Sequence, residues 1–274
     1  MQDTEERSAS DMVLYEEKGK IAYLTFNRPE KLNAMNIPCL KRILDLVQHV
    51  DSNSNIKVLV INSIGRMFSA GYDLSIFKMP ISQEDISNFL EIAATISKSI
   101  RMIKKPVIAE IQGNAIGFGC ITAFAADFRF VANTDPEGKQ PYFYLPELGI
   151  GITPASGPTT LPLILLGGHH AKEMLLGDRR IAVSEMDKWG AVTQICEPED
   201  LKKQVKKFAR NLAEKDTTLL FSTKTALTIM EKRFLDDCYN LERDLAIHWA
   251  KNLVTKDTSE LDGFLENMWK KYGK

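Results

Sequence analysis

Between Lys139 and Lys172 the only charged side chain is Glu147, in a protein of which 26% of residues are charged. Around it lie Tyr142, Phe143, Tyr144, Leu145, Leu148, Ile150 and Ile152. A carboxylate in such company either pairs with a distant cation or has its ionisation tuned for proton transfer. Two glycine loops offer the complementary chemistry. In SAGYDL (69–74) Gly71 lets the backbone turn, so that the next N–H groups can point outward. IGFGC (116–120) does the same at the start of a helix, where unpaired N–H groups and the helix dipole favour negative charge. Two backbone donors aimed at one point stabilise an oxyanion. Each loop alone is more often an ordinary turn. Neither has the GxGxxG or GxxxxGK[ST] spacing of a nucleotide site.

Other reactive types have plainer readings. Asp73 either caps the helix after its loop or belongs to the site, since Asp is a preferred cap. Asp127, between a small-residue helix and a strand, reads as structural. His169 and His170 follow Gly167-Gly168 near a helix start, where caps and surface sites are common. Cys120 has no His or Asp nearby in sequence to activate it and reads as small core filling. Tyr142 and Tyr144 either line a pocket or pack. The four cysteines are scattered without CxxC pairing, which indicates reduced thiols and no metal site.

Positioning these groups requires a scaffold of strands and helices. MVLYEE and KIAYLTF read as a β-hairpin turning at Lys18-Gly19-Lys20. Asn36 caps a helix with Pro38 in its first turn and Leu40, Ile43, Leu44 and Val47 on one face. KVLVIN (57–62) is a compact strand. Ser82 with Asp85 three residues on predicts a helix start, with apolar residues at helical spacing to Lys104. PVIAEI (106–111) is a strand, CITAFAA a helix and FRFVA (128–132) another strand. The recurrence of strand, loop and helix predicts an α/β core over residues 1–197, with crossover connections. Residues 198–274 read as a helical C-terminal region, and DLKKQVKKFARNLAEK is its clearest amphipathic segment.

The chain of 274 residues is 44% hydrophobic, with a net charge of −1 and a pI near 6.5. That balance gives no footprint for nucleic acid or an anionic membrane. The N-terminus, MQDTEERSAS, is neither a secretory signal nor an Arg-rich transit peptide, and the apolar runs are too short to span a bilayer. The expectation is a soluble, cytoplasmic protein.

NRPEKLNAM, FSAGYDL, IQGNAIGFGC and LPELGIGITP, in that order and at those intervals, resemble the crotonase superfamily, the enoyl-CoA hydratase/isomerase family. AKEMLLGDRRIAVSEMDKWGAVTQI resembles the segment leading to that family's C-terminal helices, so the likeness runs from about Val13 to the end. The resemblance implies a ββα superhelix core, acyl-CoA substrates with coenzyme A as part of the substrate and no separate cofactor, and a homotrimer or hexamer built through the last helices. It implies that the N–H groups of Tyr72 and Phe118 form the oxyanion hole. Phe118 stands where the family usually has glycine, and its ring is expected to narrow or redirect the acyl channel. Ala70, Gly71, Asp73, Leu74 and Gly117 would line the substrate. Lys31 is either a contact to a coenzyme A phosphate or a solvated surface lysine.

The family's hydratases usually carry two glutamates. Ile121 occupies the position of one, directly after the cysteine of the glycine turn. Glu147 matches the other, with Gly151 four and Pro154 seven residues on. One acid suffices to carry a proton from C2 to C4 of an enolate, so the resemblance implies Δ3-Δ2-enoyl-CoA isomerisation. Restricted hydration, thioester hydrolysis or decarboxylation, and binding of acyl-CoA without turnover are the alternatives.

Overall fold

The computed structural model describes residues 8–78 and 83–254. A helical turn, α1 (Ala9–Met12), leads into β1 (Val13–Lys18) and β2 (Ile21–Phe26), then α2 (Ile37–Ser52), β3 (Val58–Ser63), α3 (Gln83–Met102) and β4 (Val107–Ile111). The chain continues through β5 (Ala115–Ile116), α4 (Phe118–Ala125), β6 (Phe128–Ala132), β7 (Tyr142–Tyr144), α5 (Thr160–Leu175), β8 (Ile181–Ala182), α6 (Val183–Lys188) and β9 (Gln194–Cys196). Two helices, α7 (Pro198–Glu214) and α8 (Thr217–Val254), end the described chain. No described helix is long and apolar enough to cross a membrane.

The hairpin forms as expected, with Gly19 at φ +63° in its turn. It pairs onward into a six-stranded sheet of order β1-β2-β3-β4-β6-β9, parallel except for β1. Val58, Val60, Ile108 and Phe130 face one side with Ile21, covered by Leu201, Val205, Ala209 and Leu212 of α7. The other side buries Leu59, Ile61, Val107, Ala109 and Val131 under α2, α3 and α4. Asn36 caps α2 by accepting from the Cys39 N–H at 3.0 Å, and Pro38 sits where its missing N–H costs nothing. The Ser82 cap lies outside the described residues. The helix after it, α3, ends at Met102, two residues before the expected Lys104.

A second sheet was not foreseen. It has the order β5-β7-β8, with β5 and β7 parallel, and it joins the glycine turn before α4 to the strand that leads into Glu147.

The C-terminal helix α8 lies along α3 and is fixed by ion pairs: Arg101 grips Glu231 through two bonds of 2.8 and 2.7 Å, and Lys98 pairs with Asp236. Deeper, Lys224 donates to Asp127 at 2.6 Å and to the Lys105 carbonyl at 2.7 Å. Asp127 also accepts the Val107 N–H at 2.7 Å, which makes it structural, as the sequence suggests. Removing one partner of a buried pair strands the other. Lys224→Ala should therefore lower unfolding stability by about 3 kcal/mol in urea titrations, with activity per folded molecule retained.

Candidate active site

The segment 28–36 and the first glycine loop are stitched together before either reaches the site. Leu32 and Asn33 both adopt left-handed backbone (φ +53° and +55°). The turn they make buries the Asn33 amide, which accepts the Arg28 N–H at 2.8 Å and donates to the Ile64 and Met67 carbonyls. The Ser69 hydroxyl donates to the Asn33 carbonyl at 2.8 Å and accepts the Gly71 N–H at 3.1 Å. Met35 and Asp73 complete the seam: the Met35 N–H donates to the Gly71 carbonyl and the Asp73 N–H to the Met35 carbonyl.

The second loop is pressed onto the first. The N–H of Ile116 donates to the Ser69 carbonyl at 2.9 Å, and that of Gly117 to the Tyr144 carbonyl at 2.8 Å. A Cβ at Gly119 would lie 2.6 Å from the Ser69 Cβ, so only glycine lets α4 approach this closely. Gly71 has φ +90°, and a Cβ there would lie 2.9 Å from the Ile116 carbonyl oxygen and 3.0 Å from the Phe118 nitrogen. The two loops thus touch at the residues expected to provide donors. Phe118 is the first residue of α4, two positions earlier than the sequence pattern indicated, so its N–H is one of the orphans of a helix start. Neither the Tyr72 N–H nor the Phe118 N–H has an acceptor among the described residues. The Phe118 ring is buried and stacks on Tyr72, with centroids 4.8 Å apart and planes at 17°. Phe89 meets the Tyr72 ring edge-on at 4.7 Å.

Glu147 closes the third side. It follows β7 and Pro146, whose Cδ would lie 3.9 Å from a Cβ at Gly117. Its carboxylate is buried, and neither Oε2 nor the nearby Tyr72 hydroxyl has a hydrogen-bond partner among the described residues. Only four buried side-chain polar atoms among the described residues are orphaned in this way, and these are two of them. Such orphans ask for an explanation, because an unpaired buried polar group is costly. Burial pushes the pKa of Glu147 up to about 7; its own N–H opposes this, and the carboxylates of Glu242 and Asp178 add to it. No arginine or lysine pairs with it among the described residues. Within those residues no distant cation partners Glu147.

The remaining expected residues separate into two groups. Ala70 and Leu74 flank the donor loop, half-buried. Asp73 turns away to Arg28, with Nη1 to Oδ2 at 2.8 Å, and caps the next turn through the Ser75 N–H at 3.1 Å. Burial opposes its charge, but the bonds from Ser75 and Arg28 prevail and hold its pKa below the usual range. Lys31 is exposed and makes no ion pair among the described residues. Tyr142 and Tyr144 both lie under the Arg180 guanidinium, at 5.3 and 5.4 Å, and Tyr144 donates to Asp178 at 2.7 Å. Ile121 is buried against Gly157. Burial raises the Cys120 thiol well above its ordinary pKa, so it is inert filling beside Glu147. His169, His170 and Glu173 bring ligating atoms within 4.8 Å of one another. The Arg179 guanidinium already holds Glu173 at 3.0 Å, and the His170 ring lies flat on Trp189 at 3.9 Å.

One acid near the site had no signal in the sequence. Glu242, buried on α8, accepts from the Gly157 N–H at 2.6 Å, the Thr159 and Thr160 N–H groups at 3.0 and 3.1 Å, and both threonine hydroxyls. All five partners donate, four of them to Oε1, so it serves as an acceptor at the start of α5.

Comparison with known proteins bears on the fold and the family. A crotonyl-CoA hydratase of Syntrophomonas wolfei is 31% identical over 260 residues, covering 94% of this chain and 96% of that protein. A trans-2-decenoyl-[acyl-carrier-protein] isomerase of Streptococcus mutans is 27% identical, covering 70% and 72%. Hydratase is the commoner name among such relatives. A crystal structure of an enoyl-CoA hydratase/isomerase from Mycobacterium paratuberculosis superposes with a TM-score of 0.83 at 22% identity, over 94% of this chain and 98% of the other, and shows the same fold. The sequence profile described as enoyl-CoA hydratase/isomerase matches residues 16–273. With nearly its whole length inside that profile, the chain belongs to the enoyl-CoA hydratase/isomerase family.

Proposed function

We propose that this protein is a Δ3-Δ2-enoyl-CoA isomerase, acting on acyl-CoA thioesters, in which Glu147 carries a proton between C2 and C4. The carrying observation is one buried carboxylate with an orphaned oxygen beside two loops whose Tyr72 and Phe118 N–H groups lack acceptors. The thioester carbonyl accepts those two N–H groups. Loss of a proton from C2 places negative charge on that oxygen, where the fixed donors stabilise it as it develops. Glu147 takes the proton from C2, held near neutral affinity by burial. It returns the same proton to C4, which moves the double bond from the 3 to the 2 position and restores the carboxylate. Ala70, Gly71, Leu74 and Gly117 shape the walls, Asp73 holds the donor loop through Arg28, and Lys31 reaches for a coenzyme A phosphate from the rim. Coenzyme A enters as part of the substrate, and no further cofactor is needed.

Hydration is the second reading, favoured by the names of the relatives. It needs a water activated at C3 as well as a proton delivered at C2. At the position of the family's other glutamate the apolar Ile121 packs on Gly157, and Glu242 is held at the start of α5 by five donors. Incubating the purified protein with 3-enoyl-CoA and, separately, 2-enoyl-CoA decides between them. Conversion of the 3-enoyl to the 2-enoyl thioester is expected. Water addition to the 2-enoyl thioester with no isomerisation would overturn the assignment.

The assembly reading is a homotrimer or hexamer. Along α8, Leu227, Met230, Phe234, Leu241 and Leu245 stand exposed at spacings of three, four, seven and four residues, an apolar stripe suited to another copy.

A further inference from the structure

We propose that Glu242 is a positioning residue for Glu147: from α8 it fastens the chain between Glu147 and α5, within electrostatic reach of the proton-carrying carboxylate. The inference rests on Glu147 being the proton carrier. Gly157 lies ten residues beyond Glu147, and the run between them begins in a turn closed by the Ile150, Gly151 and Ile152 N–H groups. At its far end the run is held from two helices, α3 at Ser156 and α8 at Gly157. Gly157, at φ +115°, is wedged between Ile121 and Tyr239; a Cβ there would lie 2.6 Å from the Tyr239 hydroxyl oxygen. Ser156, itself left-handed at φ +73°, accepts the Ser97 hydroxyl through its carbonyl at 2.9 Å, and Ser97 meets the Tyr239 hydroxyl at 3.0 Å. Glu242 then gathers the Gly157, Thr159 and Thr160 N–H groups and both threonine hydroxyls. The Thr159 side chain makes no cap of its own at the start of α5, so Glu242 supplies that cap from a helix more than eighty residues later.

Among the described residues, the titratable groups within electrostatic reach of Glu147 come from four elements: Glu242 from α8, Asp178 from the turn after α5, Tyr72 from the glycine loop and Cys120 from α4. None is a cation. Two are carboxylates, and a like charge close by favours the protonated form. Glu242 has as further neighbours Cys238 and Tyr239 on its own helix. The C-terminal helix therefore has two effects on the site: it fixes the loop, and it keeps the acid ready to hold a proton at neutral pH.

The test is a 13C-carboxyl NMR titration of Glu147, assigned by the signal lost in E147Q, together with kcat and KM on the accepted thioester across pH. In E242Q the Glu147 midpoint should fall by about half to one pH unit, and the acid limb of kcat/KM should move with it. The value of kcat should fall about tenfold with KM held within about twofold, as expected for misplaced rather than missing chemistry. E242D keeps the charge but is too short to reach all five donors, so its midpoint should stay near wild type while kcat falls. A folded E242Q with wild-type midpoint and kcat, and only a lower melting temperature, overturns the proposal. If E242Q does not fold, a folded E242D with wild-type kcat overturns it instead. Full activity in E147Q would sink the proton-carrier reading separately, because the titration does not depend on turnover.

Discussion

Glu147→Gln should fold, bind acyl-CoA with little change in affinity and lose turnover by about 10²–10⁴, the range for removing a positioned acid–base group. Glutamine preserves the shape and cannot take a proton. In the wild type the base must be ionised to abstract from C2, so activity should fall as pH drops through about 7. The same substitution should stabilise the fold at high pH. An unfolded glutamate ionises near its ordinary value, whereas the folded one holds its proton to about 7. Between those values the unfolded state binds fewer protons, so wild-type stability declines as pH rises through the window. The loss is on the order of 3 kcal/mol by pH 8, and the neutral amide of E147Q does not suffer it. Urea titrations at pH 5 and pH 8 should show E147Q gaining on wild type only at the higher pH. Equal curves at both values would mean that the carboxylate is not desolvated. A group that costs stability where it stands, with one oxygen unpartnered among the described residues, is what a site retains for chemistry.

How much of this was legible beforehand depends on the range of the interactions involved. Asn36 with Pro38, the turn at Gly19 and the strand FRFVA were readable because each rests on neighbours a few residues apart. The two glycine loops and the isolated Glu147 were visible too, but it was their joint order and intervals, as a family resemblance, that set them apart from ordinary turns and a structural carboxylate. The small sheet was not: strands of two and three residues carry no period. The start of α4 was misplaced because Phe118 is a poor guide to a helix terminus; what begins the helix is Gly117 at φ +52°, held by the Tyr144 carbonyl. The partner of Asp73 lies 45 residues away, and those of Glu242 lie 82 to 85 residues away. A sequence offers both aspartate and glutamate as solvated surface groups until the fold brings their donors to them. The stacking of the Phe118 ring on Tyr72, far away in the sequence, is a contact of the same kind.

Gly71→Ala should be nearly as damaging as loss of the acid, by a different route. Two effects act at this position. The first is backbone strain, because φ +90° is unfavourable for any residue with a Cβ. The second is crowding, because the added carbon would lie 2.9 Å from the Ile116 carbonyl oxygen and 3.0 Å from the Phe118 nitrogen. Both contacts are with backbone, which cannot rotate aside, so the loop bearing Tyr72 and the start of α4 must separate. Misaligning one donor of an oxyanion hole costs about 10²–10³ in kcat, and G71A should lose that much with substrate affinity changed only a few-fold. Gly138→Ala separates the two effects. Gly138 has φ +75° with nothing within 4 Å of a Cβ, so alanine there meets the strain without the crowding. G138A should lose about 1 kcal/mol of stability and keep its turnover. If G71A retained kcat after a comparable loss of stability, the two N–H groups would not be the oxyanion donors, and Glu147 would be left beside a carbonyl that nothing in these loops holds.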